Sequence, residues 1–442
     1  MTEPQHPDSK PVLPLSHLIE LSVYWFGISI IWGGLDSAII PFRLEEWFGT
    51  ATFGIPLAIV TGAAVVMAIL VQPTVGVISD YTRTRWGRRK PYIVIGALLD
   101  VVFLIGLASS QDFVTLLAFM ILLQFSSNFA QGPFQGYVPD LVPAQQVGLA
   151  SGLMGLMLVL GRIAGVGIGT LGIQLDALWI ATVALGVVEV ITMVILVVSV
   201  NEGPEAPDRP GTWLQVARSA WGTDILREGN VLWLLAVRLF FLGAVASTGL
   251  VIAYFRSAHA MSKDDAASML FIGTAIIGAM TALAALPSGR LSDRFGRKPM
   301  IYAACAVASI GMVGVAVAPS PALAIAAFVP FGIGAGIFLS VDWALMTDVI
   351  PKETTGRYMG ILNAGTAAAG PIYLGVAGVT LFFVSNGFGN AVGTRAAFGV
   401  ALAFLVAAAL ALTRVDPRRR ELEEAAEAAS AEAAVMAAPT QA

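Results

Sequence analysis

Long apolar stretches separated by short polar loops run along this chain. A helix that crosses a bilayer needs about 20 mostly apolar residues, and twelve stretches reach that length. The first six lie near 18–42, 54–79, 92–110, 113–138, 148–173 and 178–200; the second six lie near 231–255, 266–289, 300–318, 321–347, 357–384 and 395–413. Between the sets, Asn201–Gly211 carries three prolines and two glycines, which breaks the helical pattern. Trp213, Ala217, Trp221 and Ile225 then recur at four-residue steps. That spacing predicts a short helix lying in the membrane interface with its tryptophans at headgroup depth. The expected organisation is a tail over 1–17, a six-helix half over 18–200, a linker over 201–230, a second six-helix half over 231–413 and a tail over 414–442.

The polar connections repeat. Gly76–Pro91 reads G-V-I-S-D-Y-T-R-T-R-W-G-R-R-K-P, and Gly289–Pro299 reads G-R-L-S-D-R-F-G-R-K-P. Gly76 matches Gly289, Asp80 matches Asp293, Gly87 matches Gly296, and Arg88 matches Arg297. Four extra residues separate the Asp from the Gly in the first copy. A second pair agrees: Asp140-Leu-Val-Pro143 with Gly148 and Gly152 matches Asp348-Val-Ile-Pro351 with Gly356 and Gly360. The loop after the second stretch thus corresponds to the loop after the eighth, and the fourth to the tenth. The pattern predicts an all-α membrane protein of twelve transmembrane helices, built as a duplicated six-helix bundle.

Composition strengthens this. The chain is 57% hydrophobic and 12% charged, with mean hydropathy +0.80; soluble domains carry about 25% charged residues. The net charge of −4 matters less than its placement. Arginines and lysines crowd the loops after stretches 2 and 8 and follow stretch 12, while the loops after stretches 3, 5 and 9 carry none. The positive-inside rule therefore places both termini in the cytoplasm and suggests a multi-pass protein of the inner (plasma) membrane. The polar segment Met1–Ser16 lacks the pattern of a signal peptide. Cys305 is the single cysteine, so neither an internal disulfide nor a cysteine-based metal site is expected. No nucleophile–base arrangement, P-loop or zinc spacing is visible, so an enzyme or ATP-driven pump is not expected. No cofactor, metal or nucleic-acid partner is expected either.

The doubled G-x-x-x-D…G-R-[RK] loop resembles the major facilitator superfamily over nearly the whole chain. Within it, three pieces resemble the plant sucrose transporters and their animal and bacterial relatives. These are Gly76-x-x-Ser79-Asp80 with Gly87-Arg88-Arg89-Lys90-Pro91-Tyr92-Ile93; Asn128-x-x-Gln131-Gly132-Pro133 continuing to Asp140-Leu141; and Trp32 with Ser37, Pro41 and Phe42. The resemblance implies two halves rocking about a midplane site, with helices 1, 4, 7 and 10 along the central path. It also implies a cytoplasmic latch between the halves, here Gly76, Asp80, Gly87, Arg88, Arg89 and Asp140 with Gly289, Asp293, Gly296, Arg297 and Asp348. Two positions depart from the family: Gln124 stands where an acid on helix 4 is thought to carry the coupled proton, and Gln135 stands for an arginine.

Gln124, Asn128, Gln131 and Gln135 recur at i, i+4, i+7 and i+11, so they share one helix face. Amides facing lipid lack partners, so this face is expected to line a wet cavity or to bond neighbouring helices. A cavity so lined suits hydroxyl-rich neutral solutes. Charges inside the apolar stretches are Asp36, Asp100, Arg162, Glu189, Arg238 and Asp342. Each costs about 2.5–3.5 kcal/mol at a helix centre unless paired or wetted. Arg162 and Glu189 lie at similar depth and could pair, with Asp100 as the other partner for Arg162. Asp36, Arg238 and Asp342, with Trp343, are placed on the substrate cavity. A carboxyl in a partly dry cavity holds its proton more readily, so Asp36 and then Asp342 are the proton-coupling candidates, the alternative for each being a fixed ion pair. The expected partners are a small solute, a proton and the bilayer, with the chain acting as a monomer. The solute is expected to be a sugar or another neutral polar compound; a uniporter, an exporter of amphipathic compounds, or a non-transporting scaffold or pigment-delivery factor are the other readings.

Overall fold

The computed structural model describes residues 12–202, 211–219, 228–349, 362 and 366–416. Among these, twelve helices are long and apolar enough to cross a membrane. They are α1 Leu15–Phe48, α2 Gly54–Asp80, α3 Lys90–Ser109, α4 Phe113–Gln135, α5 Val147–Gln174 and α6 Leu178–Ser199, then α7 Gly229–Ala258, α8 Lys263–Phe295, α9 Arg297–Val317, α10 Pro321–Val349, α11 Ala369–Phe388 and α12 Asn390–Leu412. A short helix, Trp213–Ser219, lies in the linker and packs on α2; Trp221 and Ile225 fall outside the described residues, as do the start of the expected eleventh span and 417–442.

The packing repeats as the sequence does. In the first half α4 packs on α2 and α3; in the second α10 packs on α8 and α9. Likewise α1 packs on α5 and α6, and α7 on α11 and α12. The halves meet along two seams, α2 with α11 and α5 with α8, which exchange under the same equivalence. At the α2–α11 seam a Cβ on Gly54 would lie 2.7 Å from the Cα of Gly378, so only glycine lets these backbones touch.

Glycines also set the α1–α5 contact. Side chains at Gly161 or Gly165 would drive into the carbonyls of Phe26 (2.5 Å) and Ile30 (2.0 Å), and one at Gly33 into that of Arg162 (2.5 Å). Small residues four apart allow this approach in lipid, where packing rather than water release holds helices together. Gly167, two positions past Gly165, instead faces Phe271 of α8 in the other half. On α10, Gly332 and Gly336 admit α8, and Gly334 admits α9.

Two of the long helices are irregular within their length. α1 opens into a π-helical turn over Leu35–Ile39. Pro41 follows, and its ring nitrogen cannot donate to the carbonyl four residues back. α7 tightens into a 3-10 turn over Ala246–Leu250. These turns occupy corresponding places in the two halves and touch: a Cβ on Gly249 would lie 3.3 Å from the Asp36 carbonyl oxygen.

Candidate functional site

The irregular turns border a cavity of about 340 Å³ between the halves. Most of its polar lining comes from the first half: Trp32 and Asp36 of α1, Thr61 of α2, Gln124 of α4 and Arg162 of α5. The second half contributes Leu242, Val245, Ala246 and Thr248 of α7 and Gly370, Pro371 and Leu374 of α11. One wall is thus charged and amide-bearing, and the other is largely apolar. The π-turn places Asp36 on the cavity, a common use of such turns. The glycine seam brings Arg162 against the same turn, where its Nη2 donates to Ser37 Oγ at 3.2 Å. An acid, a cation, an amide and an indole therefore converge on one void of the size that holds small molecules.

Several expected lining residues lie elsewhere. Of the α4 amides, Gln124 reaches this cavity. Asn128 is buried and donates from Nδ2 to the Gln124 carbonyl at 2.7 Å, so its own helix satisfies it. Gln131 is half-buried and Gln135 exposed, and neither lines the cavity. Of the four positions expected to share one face, the cavity takes Gln124, and toward the end of α4 the face becomes exposed at Gln135. Arg238 and Asp342 do not line it either. Both are buried and pair at 2.8 Å between α7 and α10, beside the stacked rings of Phe241 and Phe338 at 3.8 Å. This is the fixed-ion-pair alternative for Asp342. Trp343 is half exposed and away from the cavity. The expected Arg162–Glu189 pair is not formed. Glu189 accepts from Tyr24 at 3.1 Å and Asp100 accepts from Ser126, while Arg162 is held on the cavity by the α1–α5 seam.

The doubled loop builds ion pairs within each half. Arg88 pairs with Asp140; Arg89 pairs with Asp80 at 2.6 Å and Asp140 at 2.7 Å and donates to the Pro133 carbonyl at 2.8 Å. In the second half Arg297 pairs with Asp293 at 2.6 Å. Gly87 and Gly296 take φ of +111° and +90°, a left-handed turn that explains glycine at both places. Gly76 packs by Gly132 of α4, and Gly289 by Ser340 of α10. The side chain of Asp348 lies outside the described residues. The expected latch between the halves is therefore not drawn across the midline by these pairs; each tightens its own bundle.

Sequence reasoning missed Glu202. Its carboxylate accepts from the backbone N–H groups of Arg88, Arg89 and Lys90 at 2.8, 2.8 and 2.9 Å and from the hydroxyl of Tyr137. It thereby satisfies the open donors at the start of α3, where the helix dipole favours an anion. Its position just past α6 was the available signal, but the backbone partners lie over 110 residues away.

The face opposite the basic loops is bridged between halves. Glu45 at the end of α1 pairs with Arg256 of α7 at 3.3 Å, Asp176 pairs with Lys263 of α8, and Gln174 donates to Ser268 at 2.8 Å. The Glu45–Arg256 and Asp176–Lys263 pairs, which join the halves, both lie on this far face.

Comparison with known proteins agrees with this architecture. The family profile described as Major Facilitator Superfamily matches residues 21–374 and 272–438. The chain is 29% identical over 154 residues to the membrane-associated transporter protein of Homo sapiens, covering 30% of this chain and 28% of that one. It is 29% identical over 128 residues to the sucrose transport protein SUT1 of Oryza sativa subsp. japonica, covering 24% of each. The matched segments span about a quarter of these relatives' own length. Among solved structures, a variant of the nucleoside transporter NupG superposes with a TM-score of 0.72 at 12% identity, covering 90% of this chain and 99% of that one. A D-xylose-proton symporter gives 0.62 at 18% identity, covering 89% and 95%. At such identities these structures establish the fold alone.

Proposed function

The chain belongs to the major facilitator superfamily of transporters, and on that premise we propose that it moves a sugar or similar neutral polar solute together with a proton by alternating access. The observation that carries this reading is the convergence of Asp36, Gln124 and Arg162 on one cavity between the halves. Gln124 and Trp32 offer a hydroxyl-rich solute an amide that both donates and accepts, and an aromatic surface. Asp36 takes the role of proton carrier: it lies across the same void from Gln124, which replaces the helix-4 acid of the sucrose transporters. Arg162, anchored one residue away on Ser37, balances the carboxylate once its proton leaves. Asp342 serves as half of a fixed pair.

With the basic loops on the cytoplasmic side of the plasma membrane, this structure is the state closed to the outside. The Glu45–Arg256 and Asp176–Lys263 ties then form the outer seal and must part during the cycle. The apolar α7–α11 wall supports a second reading, export of amphipathic compounds, whose apolar face would lie against Leu242 and Leu374.

The test is uptake into liposomes holding the purified full chain. A panel of labelled sugars and amphipathic cations is offered with and without an imposed pH gradient. We expect saturable counterflow of at least one sugar and its accumulation under the gradient. Asp36→Asn should retain counterflow and lose gradient-driven accumulation by tenfold or more. Accumulation undiminished in Asp36→Asn removes the coupling assignment, and counterflow confined to amphipathic cations favours export.

A further inference from the structure

Four helices of the first half close around two carboxyl groups that the central cavity does not use. Asp100 on α3 and Glu189 on α6 are fully buried. Ser126 on α4 donates to Asp100 Oδ1, and Tyr24 on α1 donates to Glu189 Oε1 at 3.1 Å. Asp100 Oδ2 and Glu189 Oε2 are buried with no donor, yet the two carboxyl groups come within hydrogen-bonding reach of each other. Among the described residues, no lysine, arginine or histidine pairs with either.

The surrounding backbones leave little space for a counter-ion. A Cβ on Gly27 of α1 would lie 2.0 Å from Thr192 Oγ1 and 3.1 Å from the Cα of Glu189; one on Gly96 of α3 would lie 2.7 Å from the Ser126 carbonyl oxygen; one on Gly186 of α6 would lie 2.8 Å from Leu104. Two neighbouring carboxyl groups in a dry site do not both ionise. A hydrogen bond between them also requires a proton, because carboxylates only accept.

We propose that Asp100 and Glu189 form a proton-binding site, separate from the central cavity, that holds one shared proton. That proton is the donor the two bare oxygens lack. The pair keeps one net negative charge, which the hydroxyls of Ser126 and Tyr24 stabilise. The titratable groups facing the site from α1, α3, α4 and α6 are Tyr24, Asp100 and Glu189. The site also touches the elements that carry the cavity: Ser126 lies two residues past Gln124, and Tyr24 lies about three turns before Asp36 on α1. A proton thus ties the cavity-bearing helices α1 and α4 to α3 and α6. The proposal is independent of the solute and of the coupling role of Asp36.

Infrared spectra of the purified full chain at neutral pH, without substrate, test it. The wild type is compared with the double variant Asp100→Asn/Glu189→Gln. We expect the double variant to lose the intensity of one protonated carboxylic acid and of one carboxylate. Loss of two acids, or of two carboxylates and no acid, overturns the proposal. Tyr24→Phe keeps the ring against Phe134 and gives a reading that does not depend on the double variant folding. It should shift the acid or the carboxylate band of this pair without removing it, and no shift in either band overturns the proposal.

Discussion

Glu202 shows how one side chain can fix a loop that sequence spacing leaves open. Three consecutive N–H groups at the start of α3 converge on its carboxylate, so the basic loop is held by an anion from the far end of the half. Replacing it by alanine leaves those donors without a protein partner. Glu202→Ala should destabilise the start of α3 by about 1–2 kcal/mol, the range for loss of a helix cap with a charge at the dipole. Hydrogen exchange at the amides of residues 88–90 should quicken by roughly tenfold for each 1.4 kcal/mol lost; unchanged protection there would contradict the role given to Glu202. Asp36 and Asp342 make the complementary point. Both are acids inside apolar helices, and nothing in the spacing separates them. The structure does: Asp36 borders a void, and Asp342 is matched to Arg238 at 2.8 Å.

At the scale of helices, the periodic features were legible and their surroundings were not. The hydrophobic lengths and the doubled G-x-x-x-D…G-R loop were enough to anticipate twelve spans in two related sets, because both follow from rules local to each helix. The amide stripe on α4 was legible as a stripe. What it faces depends on α2 and α3, and so Asn128 turned out to bond its own backbone. The π-turn at Leu35–Ile39 and the 3-10 turn at Ala246–Leu250 left only Pro41 as a sequence trace. The structure separates the α5 glycines by what they meet: Gly161 and Gly165 face α1, and Gly167 faces Phe271 of α8. That distinction gives a prediction. Gly165→Ala puts a methyl group 2.0 Å from the Ile30 carbonyl and must push α1 from α5, while Gly148 has open space around it. Overpacking of this kind costs about 1–3 kcal/mol. Gly165→Ala should lower the midpoint of thermal unfolding and disturb the Ser37–Arg162 contact, whereas Gly148→Ala should unfold close to the wild type. Equal midpoints for the two variants would contradict the seam.

The whole molecule is two bundles joined along two symmetric seams, with the polar side of one turned toward an apolar wall of the other. The Glu45–Arg256 and Asp176–Lys263 pairs join the halves on one face, while the pairs of Arg88 and Arg89 with Asp80 and Asp140, and of Arg297 with Asp293, stay within their own halves. Such an arrangement is bistable if the far-face ties can open while the halves pivot about the cavity. Gln174 and Ser268 meet across that face at 2.8 Å, and the native Cys305 is buried, so cysteines placed at the two positions can be joined selectively. The most direct measurement is counterflow in liposomes by the variant carrying Gln174→Cys and Ser268→Cys, joined by a short bis-methanethiosulfonate linker and then released with dithiothreitol. Alternating access predicts that flux stops in the joined protein and returns on cleavage; equal flux before and after cleavage would contradict it.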